Sequence, residues 1–451
     1  MKREHLGSRM GFILLSAGCA IGIGNVWKFP YMAGQYGGGA FVLIYLLCMV
    51  LIGLPVMTME FAMGRAAQKS PVKLYQTLEK PGSKWHIHGI VCFLGNVLLM
   101  MCYTTIAGWM LQYFVDTAAG KFAGMGTEEV AAQFGNMCSD PVVMMIYMTI
   151  VVVAGFLVCS FGVQKGLERV TKVMMTILLI VMVVLAVNSC FMDGGSEGLK
   201  FYLVPSLSRM KEQGVGNVIV GAMNQSFFSL SLGIGAMAIF GSYLDKDRAL
   251  LGEAANVCIL DTFVAFTAGL IIFPACFAYG VEPGSGPSLV FITLPNIFNN
   301  IPLGRLWGSL FFIFMFFAAF STVLAVFENI IACTMDLTGW SRKKVCLICG
   351  IAIFVLSIPC VLGFNVLSFV QPLGEGSTIM DLEDKIVSSY LLPLGSLLFV
   401  IFCVTRYGWG WDKFMAEANE GKGLKVARWM RPYMTFVVPV LVLIIFLLGV
   451  L

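Results

Sequence analysis

Long stretches without a charged side chain recur along the whole chain, and they leave few folds open. A helix needs roughly 20 mostly apolar residues to cross a bilayer. Because 59% of the residues are hydrophobic and only 12% are charged, we expect lipid to be the main solvent. Alternation of apolar and polar residues is absent, which argues against a transmembrane barrel and predicts an all-α membrane protein. Eleven spanning helices are predicted, at 10–27, 29–59, 89–115, 141–164, 173–192, 213–244, 262–281, 306–327, 345–374, 386–405 and 432–451.

The distribution of lysine and arginine predicts the orientation of the chain. If the N-terminus is cytoplasmic, most of the 29 Lys and Arg residues fall in inside segments. Cytoplasmic loops of membrane proteins carry such an excess. We therefore expect a multi-pass protein of the cell membrane (inner or plasma), with the C-terminus outside after eleven crossings. The basic loops need no nucleic-acid partner, and no obligate protein partner is evident.

Two predicted helices, the first and the sixth, contain glycine-rich interruptions at mid-membrane depth. One reads AGCAIGIGN at 17–25, and the other reads SLSLGIGA at 229–236. Glycine weakens a helix by about 1 kcal/mol relative to alanine, and the carbonyls that it frees must be buried or line a wet cavity. Glycine also permits close helix packing, but Asn25, Ser229 and Ser231 in or beside the runs favour a binding site.

The two interruptions lie five helices apart and share a local pattern, IGIGN and LGIGA. Interrupted helices at matching positions of two halves are typical of transporters built from inverted repeats, with the binding site at the repeat interface. We therefore expect one transporter domain over 1–451. Its two five-helix inverted repeats would cover about 9–192 and 213–405, and one extra helix would follow at about 430–451.

Polar side chains inside membrane spans are costly and are functional candidates by default. Hydroxyl, amide, carboxylate and freed carbonyl oxygens form a hard ligand set, which suits an alkali cation better than a transition metal. Two members have alternative explanations: Ser321 and Thr322 could bond back to their own helix, and Asp261 could face water at a helix end. The candidates are Asn25, Tyr103, Ser229, Ser231, Asp261, Ser321 and Thr322.

Several motifs between residue 3 and about 405 are similar to those of one family. They are KREH at 2–5, GSR at 7–9, GNVWKFPY at 24–31, GGGAF at 37–41, AGW at 107–109, QSFFSLSLG at 225–233, FFAA at 316–319 and LLPLG at 391–395. Together they resemble the neurotransmitter:sodium symporters, especially the short bacterial amino-acid transporters with the leucine-transporter fold.

The resemblance implies two sodium sites beside one substrate site. The first sodium site would use Ala20, Asn25, Ser229 and Asp261, with the substrate carboxylate as a further ligand. The second would use Gly18, Ile21, Ala318, Ser321 and Thr322. Tyr103 would bond the substrate carboxylate and Phe228 would form an aromatic lid. The implied substrate-binding residues are Ala20, Ile23, Gly24, Leu99, Tyr103, Phe227, Phe228, Ser229, Ser231, Ile234, Thr322 and Val326.

The resemblance also implies two gates and three departures from the family pattern. The outer gate would pair Lys28 with Asp384, or with Asp381 one turn away, and the inner gate would pair Arg3 with Asp336. Lys28 stands at a family arginine, and lysine lacks the bidentate fork of arginine. The other departures are Leu6 at a family tryptophan and Thr176 at a family proline.

Two positions refine the expected substrate. Gly22 lies where monoamine carriers of the family have an aspartate, so the substrate must bring its own carboxylate. Asp261 lies where chloride-dependent relatives have an asparagine, and its fixed charge can replace a bound chloride. The sequence therefore predicts sodium-coupled, chloride-independent import of a hydrophobic (aliphatic or aromatic) amino acid, with Na+ as the coupling ion.

A non-transporting amino-acid sensor or receptor with the same fold is the alternative. A membrane enzyme is not expected, because His5, His86 and His88 lie at end or loop positions and no nucleophile–base pair is visible.

Overall fold

Helices make up the regular structure of the chain. The computed structural model describes residues 6–280 and 288–450. Within those ranges nine helices are long and apolar enough to cross a membrane, which confirms the predicted all-α membrane fold. They are Gly39–Ala67, His86–Ala119, Pro141–Ser160, Val163–Cys190, Leu250–Ala278, Gly304–Thr338, Arg342–Leu362, Ile379–Val404 and Met430–Gly449.

Shorter helices connect the spans. One of them is Leu289–Asn299, whose Phe291 ring stacks on Phe134 at a centroid distance of 5.1 Å. Residues 281–287 lie outside the described ranges. The connecting helices are Pro71–Leu78, Thr127–Ser139, Ser196–Leu203, Leu207–Glu212, Leu289–Asn299 and Trp411–Ala418.

The helix that we call the first broken helix consists of Arg9–Ala20 and Gly24–Gln35, which meet at 57°. Its first half ends at Ala20, and the next residue, Ile21, has an extended backbone (φ −70°, ψ 99°). The last carbonyls of a helix have no helical N–H partner. The bend therefore leaves carbonyls near residues 18–21 available to other groups.

The second broken helix consists of Val215–Ser229 and Ala236–Gly241, joined by turns at 230–235. Gly233 and Gly235 have φ angles of +97° and +72°, a region that glycine enters without steric cost. A β-carbon at Gly233 would lie 2.1 Å from the carbonyl oxygen of Leu392. Both the backbone conformation and the close approach therefore require glycine here.

Several spans extend past their predicted ends because charged side chains are buried inside the bundle. The span predicted at 29–59 is the helix Gly39–Ala67, so Glu60 and Arg65 lie within it and are fully buried. Arg65 pairs with Glu417 at 2.7 Å. A buried charge is tolerated when it is paired and hydrogen-bonded, so a rule that ends spans at charges places these ends too early.

The interior of the bundle is formed around the two interruptions. Residues 229–243 are all buried, as are residues 318–333 of the helix Gly304–Thr338. Met430–Gly449, by contrast, has many exposed apolar side chains. The polar groups near the breaks are thus enclosed by protein, where irregular backbone is permitted in a membrane.

Candidate functional site

Asn25 and Asp261 meet at the first break. The Asn25 Nδ2 atom donates to Asp261 Oδ1 at 2.8 Å and to the Asp261 carbonyl at 3.1 Å. Both side chains are fully buried. The donor is a neutral amide, so this bond brings no positive charge to the carboxylate. Asp261 lies inside the helix Leu250–Ala278, not at a water-facing helix end.

Ser229 lies beside Asn25 and Asp261. Its hydroxyl lies 3.0 Å from the hydroxyl of Tyr45, at the last residue of the first half of the second broken helix. The Oδ2 atom of Asp261 is buried and accepts no hydrogen bond of normal geometry from the described residues. A buried carboxylate oxygen of this kind suits a small cation. Ala20, the remaining predicted ligand of the first sodium site, is the last residue of Arg9–Ala20 and is buried.

Five predicted oxygens of the second sodium site lie in one cluster. The hydroxyl of Ser321 is 3.4 Å from the Ile21 carbonyl and 3.0 Å from the Ala318 carbonyl. The hydroxyl of Thr322 is 3.3 Å from the Gly18 carbonyl, 3.2 Å from Ile21 and 3.5 Å from Ala318. Both hydroxyls therefore do more than bond back to their own helix, because each also faces the first break.

Tyr103 also contacts the first break, beside Thr322. Its hydroxyl accepts a hydrogen bond from the Ile23 N–H at 2.8 Å. A β-carbon at Gly22 would lie 2.2 Å from this hydroxyl and 2.6 Å from the Thr322 hydroxyl. There is therefore no room for a side chain at position 22, where an aspartate would have to fit.

The remaining predicted substrate residues contact the breaks or are buried in the bundle. A β-carbon at Gly24 would be 2.9 Å from the Phe228 ring, and the Ser231 hydroxyl donates to the Cys19 carbonyl at 3.3 Å. Side chains of the apolar set are buried. This set comprises Leu99, Phe227, Ile234 and Val326. Their roles as ligands and pocket residues remain predictions.

Lys28 stands at one end of this group, beside Phe228. Its Nζ atom lies 3.7 Å from Asp384 Oδ2, with exposed side-chain fractions of 31% and 50%. The same atom lies 3.7 Å from the centroid of the Phe228 ring. Asp381 instead caps its own helix through Thr378. Of the two predicted partners, the geometry pairs Asp384 with Lys28.

The predicted inner gate cannot be described as a pair. Arg3 lies outside the described residues, and Asp336 accepts a hydrogen bond from the Ser70 N–H at 2.8 Å. At this end Glu168 holds the start of the first broken helix by accepting from the Gly7 N–H and the Ser8 hydroxyl at 2.8 and 3.0 Å. The chain start is therefore tied to the helix Val163–Cys190.

Four polar residues at the breaks were not predicted. Gln225 donates to the Gly24 carbonyl at 2.7 Å and so links the two broken helices. Glu60 accepts from the Gly233 N–H at 2.7 Å. Asn96 donates to the Ile234 carbonyl at 2.8 Å, and Tyr45 contacts Ser229 as described above. Each is a polar side chain within an apolar span, which is the signal that would have found them.

Comparisons with known proteins identify the family of the chain. The model of the sodium:neurotransmitter symporter family matches residues 3–129 and 128–451. An uncharacterised sodium-dependent transporter of Bacillus subtilis (strain 168), YhdH, is 36% identical over 99% of this chain and 97% of its own length. The sodium-dependent serotonin transporter of Drosophila melanogaster is 25% identical over 99% of this chain and 76% of its own length.

A solved structure has the same fold. The crystal structure of MhsT in complex with L-phenylalanine superposes with a TM-score of 0.89 at 37% identity, covering 99% of this chain and 100% of that chain. The resemblance found in the sequence is thereby confirmed. The chain belongs to the sodium:neurotransmitter symporter family, and it is a multi-pass membrane transporter.

Proposed function

We propose that this transporter is a sodium-coupled symporter that imports a hydrophobic amino acid by alternating access. The observation that carries the proposal is the buried Asp261 carboxylate, held 2.8 Å from Asn25 at the break of the first broken helix. A carboxylate without a charged partner in an apolar bundle is costly. Binding a cation together with a zwitterion would offset that cost.

Coupling would arise from a shared ligand. In the first sodium site, Ala20, Asn25, Ser229 and Asp261 would bind the ion together with the substrate carboxylate. Each ligand then raises the affinity for the other, as thermodynamic linkage requires. The second site, formed by Gly18, Ile21, Ala318, Ser321 and Thr322, would hold a sodium ion between the first break and the helix Gly304–Thr338.

The substrate class follows from the groups around the breaks. Gly22 has no space for an acidic side chain, so the negative charge would come from the substrate, with Tyr103 as donor to its carboxylate. Leu99, Ile234 and Val326 offer apolar surface for the substrate side chain. The MhsT structure contains L-phenylalanine and is 37% identical to this chain, which supports an aromatic or aliphatic amino acid.

Chloride would not be needed. Chloride in a related site would supply one negative charge beside the sodium ion, and Asp261 supplies that charge covalently. The carboxylate would be fixed by the Asn25 amide, so no ion would have to bind before transport. We therefore propose chloride-independent uptake.

Gating would use contacts at the two ends of the site. At the outer end, Phe228 and the Lys28–Asp384 pair would close over the bound amino acid. At the inner end, the contacts of Glu168 with Gly7 and Ser8 would break as the first half of the first broken helix tilts. Arg3 and Asp336 would form the inner ion pair.

We also propose the membrane arrangement. Nine spans and the first broken helix account for ten crossings, and the second broken helix would be the eleventh. The single domain of 1–451 would contain inverted repeats at about 9–192 and 213–405 and an extra helix at about 430–451. The N-terminus and the basic loops would lie in the cytoplasm, with the C-terminus outside.

Uptake into proteoliposomes tests the proposal. Purified full-length protein would be reconstituted with an inward sodium gradient, and uptake of radiolabelled phenylalanine and leucine would be compared with uptake under an equal potassium or choline gradient. We expect accumulation only with sodium. Binding whose affinity does not change with sodium concentration would contradict the shared-ligand site, and sodium-dependent binding without uptake would indicate a sensor.

A further inference from the structure

A groove runs along the periphery of the helix bundle, between the helices Pro141–Ser160 and Arg342–Leu362. Its volume is about 580 Å³, and residues of these two helices alone line it. Most of the lining is apolar and much of it is exposed, including Leu157 at 57% and Leu347 at 66%. The groove is therefore an apolar channel open to the surrounding lipid, separate from the transport site.

A glycine forms part of the wall of the groove. Gly350 lines it, and a β-carbon at that position would contact the ring of Phe156 at 3.4 Å. The missing side chain leaves a recess between the two helices that a flexible hydrocarbon chain can fill. Cavities in close-packed protein cost dispersion contacts unless something occupies them.

A lysine without an ion-pair partner among the described residues lies at one end of the groove. Lys343 lines that end, and in the described ranges 6–280 and 288–450 no ion pair or hydrogen bond involves it. Its neighbours differ: Arg342 donates to the Cys159 carbonyl at 2.7 Å and pairs with Glu328, and Lys344 lies 4.0 Å from the Trp340 ring centroid.

The helix start beside Lys343 also favours an anion. The cap residue Ser341 makes no side-chain hydrogen bond to the helix, and the first turn contains no acidic residue. Free N–H groups and the positive end of the helix dipole attract anions and repel the cations of this turn. An anionic group at the groove end would satisfy both the helix start and Lys343.

We propose that this groove binds an anionic phospholipid, with an acyl chain against Phe156 and Gly350 and the headgroup phosphate on Lys343. Basic pockets between transmembrane helices on the cytoplasmic side are suited to such headgroups. A free phosphate ion could not use the apolar groove, and a zwitterionic lipid would bring a positive group towards the basic turn. The site does not depend on the transported substrate.

Lipid titration of the purified full-length chain, followed by native mass spectrometry, tests this. Phosphatidylglycerol and phosphatidylcholine with identical acyl chains are added separately, and bound lipid is counted for the wild type, Lys343→Gln and Lys344→Gln. We expect the wild type to retain phosphatidylglycerol about fivefold better than phosphatidylcholine, the factor for one lysine at an anionic surface. Lys343→Gln should lose this preference, and Lys344→Gln should keep it.

A second variant tests the groove itself. Gly350→Leu fills the recess without removing a charge, and leucine is a better helix former than glycine, so folding is expected to survive. It should reduce retention of both lipids. Equal retention of the two lipids by the wild type, or equal loss of phosphatidylglycerol in Lys343→Gln and Lys344→Gln, would overturn the proposal.

Discussion

The side-chain amide of Asn25 donates a 2.8 Å hydrogen bond to the carboxylate of Asp261, across 236 residues of sequence. The bond joins the first broken helix to the helix Leu250–Ala278. It fixes one carboxylate oxygen, Oδ1, against the Asn25 amide. The other oxygen, Oδ2, is buried without a hydrogen bond among the described residues. A neutral partner therefore orients this carboxylate without adding a positive charge beside it.

Replacing Asp261 with asparagine should weaken transport and make it sensitive to chloride. The substitution keeps the shape but removes the charge, and a hydrogen bond or contact with a charged group is worth about 1.5–3 kcal/mol. We expect sodium-driven uptake to fall at least about tenfold in gluconate and to recover in part when chloride is supplied. The measurement is sodium-driven uptake into proteoliposomes, once in gluconate and once in chloride.

Asp193→Asn is the matched control, because Asp193 is exposed in a loop and loses the same charge. It should transport like the wild type in both anions. Wild-type uptake that collapses in gluconate would refute the role given to Asp261.

A methyl group at position 22 should block amino-acid binding. Gly22→Ala places a β-carbon 2.2 Å from the Tyr103 hydroxyl and 2.6 Å from the Thr322 hydroxyl. Overpacking of this kind costs about 1–3 kcal/mol, so the affinity for radiolabelled phenylalanine should fall about tenfold or more. Gly216→Ala, in the second broken helix with no atom within 4 Å of its β-carbon, should bind normally. Equal affinities for the two variants would exclude a tight site at Gly22.

Removing the hydroxyl of Ser321 should affect sodium more than the amino acid. This hydroxyl lies 3.0–3.4 Å from two carbonyls, and the loss of one neutral polar contact is worth about 1 kcal/mol. In Ser321→Ala the sodium concentration for half-maximal substrate binding should rise about fivefold. Phenylalanine affinity should return to normal at saturating sodium.

Ser309→Ala tests the same substitution outside the site. Ser309 lies on the same helix and bonds to its own backbone at the Arg305 carbonyl. Its sodium dependence should match the wild type. A fivefold shift in both variants would mean that the effect comes from the helix rather than from an ion site.

Sequence reasoning located the breaks because glycine and polar residues stand out inside apolar spans. The runs at 17–25 and 229–236 contain the breaks. Ser321 and Thr322 face the first break because the helix Gly304–Thr338 packs against it. The glycine runs and the polar residues are signals within one stretch of sequence. They need no knowledge of which helices are neighbours.

Residues that act across the bundle escaped that reasoning. Glu60 was placed beyond the span predicted at 29–59, because a charge was taken as the end of a span. The helix continues to Ala67. Glu60 is tolerated inside it because its carboxylate accepts a hydrogen bond from the Gly233 N–H. Gln225 was part of a motif, but its bond to the Gly24 carbonyl depends on two segments 201 residues apart. Composition can mark such a polar residue inside an apolar span, but it does not show which residue is its partner.

Exchanging Lys28 for arginine should slow release of the substrate. Lys28 reaches Asp384 through one contact of 3.7 Å, whereas arginine can bind a carboxylate through two parallel bonds. The pair is partly exposed, so the gain is limited to about 1 kcal/mol. We expect phenylalanine to dissociate about threefold more slowly from Lys28→Arg and faster from Lys28→Gln, measured by dilution of bound radiolabel. Lys385→Arg, an exposed neighbour of Asp384, should leave the rate unchanged, and a slower rate there would remove the support for a gate at Lys28.

Replacing Glu60 tests which contact stabilises the break in the second broken helix. Its Oε1 atom accepts from the Gly233 N–H at 2.7 Å, and both groups are buried. Glu60→Leu removes the acceptor and leaves a buried N–H unpaired, which costs about 1–3 kcal/mol. Glu60→Gln keeps a carbonyl acceptor of the same reach. We therefore expect the leucine variant to unfold at a lower temperature than the glutamine variant, and to bind phenylalanine less tightly because Gly233 precedes the pocket residue Ile234. Thermal unfolding followed by tryptophan fluorescence, with and without amino acid, measures both effects. If the two variants unfolded at the same temperature, the bond to Gly233 would contribute nothing to the break.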